Sequence, residues 1–226
     1  MKPIQHIFID FDSTLIQAES LDVLAEELGM GETIKEMTRQ SLDGTIPFEQ
    51  VFAKKMDMMA PSEAAIYALA NHCVSLLTDG AKEFVDRLHH MGKTVHILSA
   101  NFMSIIEPTA KYLGISQERI IANHIYFADG AYIGISKDNP LCFGGGKKII
   151  LEEKIANGYH PCAMIGDSMS DMACQGVADI FIGFGGVEER KIVQEQAMRY
   201  VTDSNVLALL PHILTVEELR ELGLKK

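Results

Sequence analysis

The sequence predicts an α/β fold: a Rossmann-like parallel sheet core with one inserted helical cap. Three observations carry this. Short, continuous apolar runs at His6–Ile9, Val95–Leu98, Cys162–Ile165 and Ile180–Ile182 have the length and composition of strands buried on both faces of a parallel sheet. Stretches with helical apolar spacing separate them. No strand-like run occurs between about Leu15 and Leu76, so that segment reads as helices inserted after the first strand. The expected division is a core of residues 1–15 and 77–226 and a cap of residues 16–76.

The elements follow in order. His6-Ile7-Phe8-Ile9 runs directly into Asp10-Phe11-Asp12. Leu21, Leu24, Ala25 and Leu28 fall at i, i+3, i+4 and i+7, which predicts a helix that stops near Gly29. From Thr33 to His72 the composition stays helical, with breaks at Gly44 and Pro47. Phe84, Val85 and Leu88 mark a helix ending at Gly92. Val95–Leu98 is a strand ending at Ser99, and a helix from Phe102 to Leu113 follows, which Pro108 would kink. Asp129-Gly130 between apolar residues is a two-residue turn signal and predicts a small hairpin. Lys147 opens a helix after Gly144-Gly145-Gly146. Cys162–Ile165 ends at Gly166-Asp167, and Thr215-Val-Glu-Glu218 is a capping-box pattern for a terminal helix.

Composition bounds the function. The 226 residues include 20 Lys plus Arg against 31 Asp plus Glu, a net charge of −11. Hydrophobic residues are 47% and charged residues 23%, enough apolar side chain to exclude disorder as the main state. The acidic balance argues against a nucleic-acid surface, which needs clustered Lys and Arg, but it leaves room for a local positive pocket. No apolar run approaches the ~20 residues of a membrane helix, and the first residues do not read as a secretory signal. The expectation is a cytoplasmic protein, monomer or homodimer, with no membrane or nucleic-acid partner. Cys73, Cys142, Cys162 and Cys174 form no C-x-x-C pair and read as reduced thiols in or near a core.

Ligands of open α/β sheets bind beyond the carboxyl ends of the strands. Three predicted strand ends carry polar residues: Asp10 with Asp12, Ser99, and Asp167. Two carboxylates turned into one pocket repel unless a cation lies between them. Mg²⁺ suits such a site, being a hard cation that takes carboxylate, water and phosphate oxygens. Asp167 can add a third oxygen, Lys147 a positive charge for a phosphoryl group, and Ser99 a hydrogen bond to a phosphate oxygen. Gly144-Gly145-Gly146-Lys147 is not a nucleotide P-loop, because Lys148 stands where Ser or Thr is required. His72, His89 and His90 have no partners at metal-ligand spacing. Met56, Met58 and Met59 read as core filling, and Glu188-Glu189-Arg190-Lys191 as an exposed helix face.

Asp10-Phe-Asp12-Ser-Thr14, then Ser99, Lys147 and Gly166-Asp167 with Asp171, in that order, resemble the four motifs of the haloacid dehalogenase superfamily and its phosphatases. Glu19, Met37-Thr-Arg39, Gly44 through Pro47-Phe48 and Phe181-Ile-Gly-Phe-Gly-Gly186 are similar to its phosphoserine phosphatase branch. The resemblance implies a haloacid dehalogenase fold and a Mg²⁺-dependent phosphomonoester hydrolase acting on a small phosphorylated amino acid, phosphoserine first, as in serine biosynthesis. It implies Asp10 as nucleophile and Asp12 as general acid and base. Mg²⁺ would be held by Asp10, the Asp12 carbonyl and Asp167. Lys147, Ser99 and the Ala100 backbone would stabilise the phosphoryl group, with Asp171 ordering Lys147 or a metal-bound water. Glu19 would take the substrate ammonium, Phe48 and Ser170 would line the substrate site, and the helical insertion would exclude water.

Six positions depart from that pattern. Lys55 stands where the family has an arginine for the substrate carboxylate, and lysine cannot make the bidentate fork. With Lys54 it reads either as a clamp or as a solvated helix face. Ser99-Ala100-Asn101-Phe102 replaces Ser-Gly-Gly-Phe. Leu42 replaces a methionine, and Ser168 and Ser170 replace Gly and Asn or Thr. Phosphomonoester chemistry survives these changes, and the alternatives are another small phosphorylated metabolite, transfer to an alcohol acceptor, or a non-enzymatic phospho-aspartate switch.

Overall fold

The four apolar runs form the centre of one six-stranded, all-parallel sheet, whose strands lie side by side in the order Ile120–Asn123, Thr94–Phe102, His6–Ile9, Cys162–Gly166, Ile180–Phe184 and Tyr200–Val201. The structure is a computed structural model and describes residues 3–42 and 45–224; Gly44 and the Leu42 side chain, both singled out in the sequence, lie outside the described residues. In chain order the elements are β1 (His6–Ile9), α1 (Ser20–Glu27), α2 (Gly31–Leu42), α3 (Phe48–Met59), α4 (Glu63–Cys73), α5 (Ala81–His90), β2 (Thr94–Phe102), α6 (Met103–Leu113), β3 (Ile120–Asn123), β4 (Ile125–Ala128), β5 (Ala131–Ile135) and α7 (Gly146–Ala156). There follow β6 (Cys162–Gly166), α8 (Met169–Met172), β7 (Ile180–Phe184), α9 (Lys191–Gln196), β8 (Tyr200–Val201), α10 (Leu210–Ile213) and α11 (Val216–Glu221).

Both faces of the central strands are buried, and that is why their sequences do not alternate with polar residues. Ile7, Ile9, Val95, Ile97, Ala163 and Ile165 pack into one hydrophobic cluster, whereas Phe8, Leu98, Cys162 and Met164 pack into the other. Strand order reverses at β1, which has β2 on one side and β6 on the other. The crevice beyond the carboxyl ends of β1 and β6 is therefore the topological switch point of the sheet.

Among the described residues, four α-helices, α1 to α4, lie between β1 and α5, as the missing strand signals predict. The two strands of chain that enter and leave this segment are tied together. Gln17 N donates to Leu76 O at 2.8 Å, Thr78 N to Leu15 O at 2.9 Å, and Thr78 Oγ1 to Thr14 O at 2.7 Å. The β4-β5 hairpin turns at Asp129 and Gly130, both at positive φ, as the Asp-Gly signal requires. It touches the helical segment through Tyr132, whose hydroxyl donates to Asp57 at 3.2 Å. Thr215 and Glu218 form the expected capping box at α11.

Three details differ from the sequence expectation. Strand β2 continues past Ser99 to Phe102 across a register irregularity, and α6 runs from Met103 to Leu113 with Pro108 inside it. Strand β3 is four residues long, and β8 only two, too short for any periodic pattern to register. The four cysteines are free and buried. No helix of the described residues is long and apolar enough to cross a membrane.

Candidate active site

Asp10 continues β1 by one residue, its N–H donating to Ile165 O of β6 at 2.9 Å. The chain then turns sharply. Asp10 Oδ1 accepts the Phe11 N–H at 2.7 Å, Asp12 stays extended, and Ser13 takes a left-handed conformation at φ 50°. That turn sends Asp10 and Asp12 into the crevice together, since both are extended and lie two residues apart. The residues expected at the site, Asp171 excepted, line a single cavity of about 110 Å³ between the sheet edge and the helical segment. Asp171 lies directly behind it, fully buried.

Lys147, at the start of α7, is the cation at the centre. Its Nζ is 2.7 Å from Asp10 Oδ2 and donates to Asp171 Oδ1, also at 2.7 Å. Asp171 is held in turn by the Ser168 N–H at 3.0 Å and hydroxyl at 2.5 Å, the capping contacts of α8. The approach of Asp171 to β6 requires Gly166, where an added Cβ would lie 2.1 Å from Asp171 Cγ. Gly166→Ala is expected to destabilise the fold by about 1–3 kcal/mol through this overlap, measurable as a lowered urea midpoint with an unchanged m-value.

Burial sets the electrostatics. It pushes the Asp10 carboxyl up to about 8, reinforced by the charge of Asp171 and opposed by Lys147. Asp167 is also raised well above the usual range by burial, against the pull of Arg190. Burial disfavours the Lys147 ammonium too, but Asp10 and Asp171 more than offset this and hold its pKa above normal. Among the described residues, Asp10, Asp167 and Asp171 bring carboxylate oxygens within 4.8 Å of one another. Such a cluster of desolvated hard oxygen donors suits a divalent cation such as Mg²⁺. The Asp12 side chain also lines the cavity and is held there by a donor on each oxygen. Its Oδ1 accepts the Ser20 N–H at 2.8 Å and its Oδ2 accepts from Asn101 Nδ2, also at 2.8 Å.

The cavity lining also includes Glu19 and Lys55, of opposite charge. Glu19 accepts from Ser13 Oγ at 2.8 Å, and burial together with the Asp12 charge raises it to about 7. Lys55 is 6% exposed and faces the cavity, whereas Lys54 points to solvent. The solvated-face reading therefore holds for Lys54 and fails for Lys55. Lys55 Nζ donates to Thr38 Oγ1 at 2.5 Å and to Asp22 Oδ1 at 3.2 Å, so two residues of α2 and α1 that the sequence did not single out hold it in place. Phe48 stacks on Phe52, and Phe52 on Phe102 at the end of β2, with ring centroids 5.2 and 5.5 Å apart.

The exposed-helix-face reading of Glu188–Lys191 is corrected twice: residues 188–190 are loop, with α9 beginning only at Lys191, and Arg190 turns inward. Its side chain is 10% exposed; Nε donates to Asp167 Oδ2 at 2.7 Å and Nη2 to Glu19 Oε1 at 3.2 Å. Buried carboxylates draw in a guanidinium that has planar donors to match two of them. The usable signal was topological: the loop after β7 leaves the same sheet edge as Asp10 and Asp167.

Comparison with known proteins agrees with this geometry. A family model described as haloacid dehalogenase-like hydrolase matches residues 7–175. A phosphoserine phosphatase of Bos taurus is 35% identical over 199 residues, covering 87% of this chain and 88% of that protein. The crystal structure of a phosphoserine phosphohydrolase-like protein from Francisella tularensis subsp. tularensis SCHU S4 superposes with a TM-score of 0.84 at 29% identity, over 93% of this chain and all of that one. A structure titled as a phospho-aspartyl intermediate analogue of phosphoserine phosphatase superposes at 0.79 with 26% identity, over 94% of this chain and 100% of the other.

Proposed function

We propose, for a chain that belongs to the haloacid dehalogenase-like hydrolases, the hydrolysis of O-phospho-L-serine to L-serine and phosphate through a phosphoaspartyl intermediate on Asp10. One observation carries the reading: the Asp10–Lys147 pair shares its cavity with Glu19 and Lys55. A phosphate, an ammonium and a carboxylate on one small molecule complement those three charges. The resemblance to phosphoserine phosphatases supports the same substrate.

The residues divide the work. Asp10 attacks phosphorus, and Lys147, Ser99 and the Ala100 N–H take the charge on the phosphoryl oxygens. Asp12 protonates the departing serine oxygen and then accepts a proton from the hydrolytic water. Asp171 holds Lys147 on target. Asp10, Asp167 and the Asp12 carbonyl would hold Mg²⁺, which would supply charge neutralisation between the anionic nucleophile and the anionic ester. Glu19 receives the substrate ammonium, and Lys55, kept in place by Asp22 and Thr38, receives the carboxylate. Phe48 and Ser170 close the walls, and the helical segment of residues 16–76 excludes water as a cap over the core of residues 1–15 and 77–226. Four free, buried thiols suit a reducing cytoplasm.

The test is phosphate release with Mg²⁺ from three esters: phosphoserine, O-phosphoethanolamine without the carboxylate, and phosphoglycolate without the ammonium. Phosphoserine is expected to have the highest kcat/KM, and EDTA to abolish release. Glu19→Gln should cost the two amine-bearing esters about 10–100-fold, the worth of a charged hydrogen bond, and spare phosphoglycolate. Lys55→Met should cost the two carboxylate-bearing esters by a similar factor and spare phosphoethanolamine. Equal losses on all three esters would remove the basis for assigning phosphoserine while leaving the phosphatase chemistry.

A further inference from the structure

Asn101, near the end of β2, is buried with 4% exposure, and the mechanism above makes no use of it. Its Oδ1 accepts the Phe102 N–H at 2.7 Å, which fixes which end of the amide is which. The NH₂ end then faces the cavity, where Nδ2 donates to Asp12 Oδ2 at 2.8 Å and to Ser20 Oγ at 2.6 Å. Both amide hydrogens are committed. The other oxygen of the same carboxyl accepts the N–H of Ser20, the first residue of α1. Asp12 is thus gripped on one side by the sheet and on the other by the first helix of the insertion. A carboxyl torsion is broad and two-fold, so nothing in the Asp12 backbone alone fixes this orientation. Glycine, the residue in the motif this chain resembles, has no side chain to do it.

We propose that Asn101 is a positioning residue for Asp12, holding its carboxyl in the orientation that delivers a proton to a poor leaving group. This rests on the phosphatase reading. In the first step an Asp10 oxygen bonds to phosphorus, the phosphorus–alcohol bond breaks with its electron pair on the alcohol oxygen, and that oxygen takes the proton of Asp12. In the second step water oxygen attacks phosphorus, its proton returns to Asp12, and the Asp10 carboxylate leaves. A serine alkoxide cannot depart without that first proton, whereas p-nitrophenolate can.

The experiment is rapid-quench measurement of phosphoenzyme formation with phosphoserine and with p-nitrophenyl phosphate, on the full chain with Mg²⁺. Two variants are compared. Asn101→Gly removes the side chain. Asn101→Asp keeps an oxygen for the Phe102 N–H but presents Asp12 with no donor. Both are expected to slow the phosphoserine step about 10–100-fold, with KM and the p-nitrophenyl phosphate step within about 3-fold of wild type. Equal slowing of both esters means a general structural role and overturns the proposal. So does an Asn101→Asp variant as fast as wild type on phosphoserine, which would reduce Asn101 to a cap for Phe102. A wild-type protein that cleaves neither ester brings down the phosphatase reading itself, and this inference with it.

Discussion

Asp10→Asn is expected to abolish phosphate release, lowering kcat by about 10⁴-fold or more, while leaving the fold intact or more stable. The catalytic loss follows from removing the atom that forms the bond to phosphorus, and no other carboxylate can replace it at the end of β1. The stability effect follows from the same burial that serves the chemistry. Asp10 is 6% exposed and faces Asp171, and its carboxyl is pushed up to about 8, so its charge is held at a cost to the folded state. An amide of the same shape carries no such cost, and Lys147 still has Asp171 as a partner. Loss of activity with an unchanged or raised melting temperature is the signature of a strained functional group. A variant that loses both together would point to Asp10 as a structural residue.

Lys147→Met should fail on both counts. Its ammonium is the shared partner of Asp10 and Asp171, and removing one member of a buried charge network costs about 3–5 kcal/mol. Loss of a preorganised cation at the phosphoryl oxygens should lower kcat by about 10²–10³-fold. The two effects separate with metal. Mg²⁺ held by Asp10, Asp167 and the Asp12 carbonyl would return a positive charge beside the clustered Asp10, Asp167 and Asp171 carboxylates, so it should raise the melting temperature of Lys147→Met more than that of wild type. Thermal melts with and without Mg²⁺ read this without any turnover. An equal shift in both proteins would place the cation elsewhere.

Local residues made the core and the chemistry legible. A strand buried on both faces must be continuously apolar, so Asp10 and Asp12 stand out at the end of Ile7-Phe8-Ile9, and Asp167 after Cys162–Ile165. The helical segment was legible because β-rich runs are missing from it. What the sequence could not convey is partnership across long separations. Arg190 follows two glutamates and looks like solvated surface, yet it lies within hydrogen-bond reach of Asp167 and Glu19, far away in the chain. Lys55 likewise gained its meaning only when Asp22 and Thr38 of neighbouring helices were placed against it. Asn101 was visible as a replacement for glycine, but its direction was set by Phe102 and Ser20, which only folding brings into line.

The most direct measurement is acid-quenched trapping with O-phospho-L-serine radiolabelled at phosphorus, followed by peptide mapping. The expected result is label on the peptide carrying Asp10, dependent on Mg²⁺, released by hydroxylamine as an acyl phosphate must be, and absent from Asp10→Asn. Turnover of phosphoserine with no label on Asp10, or with label on another side chain, would contradict the account.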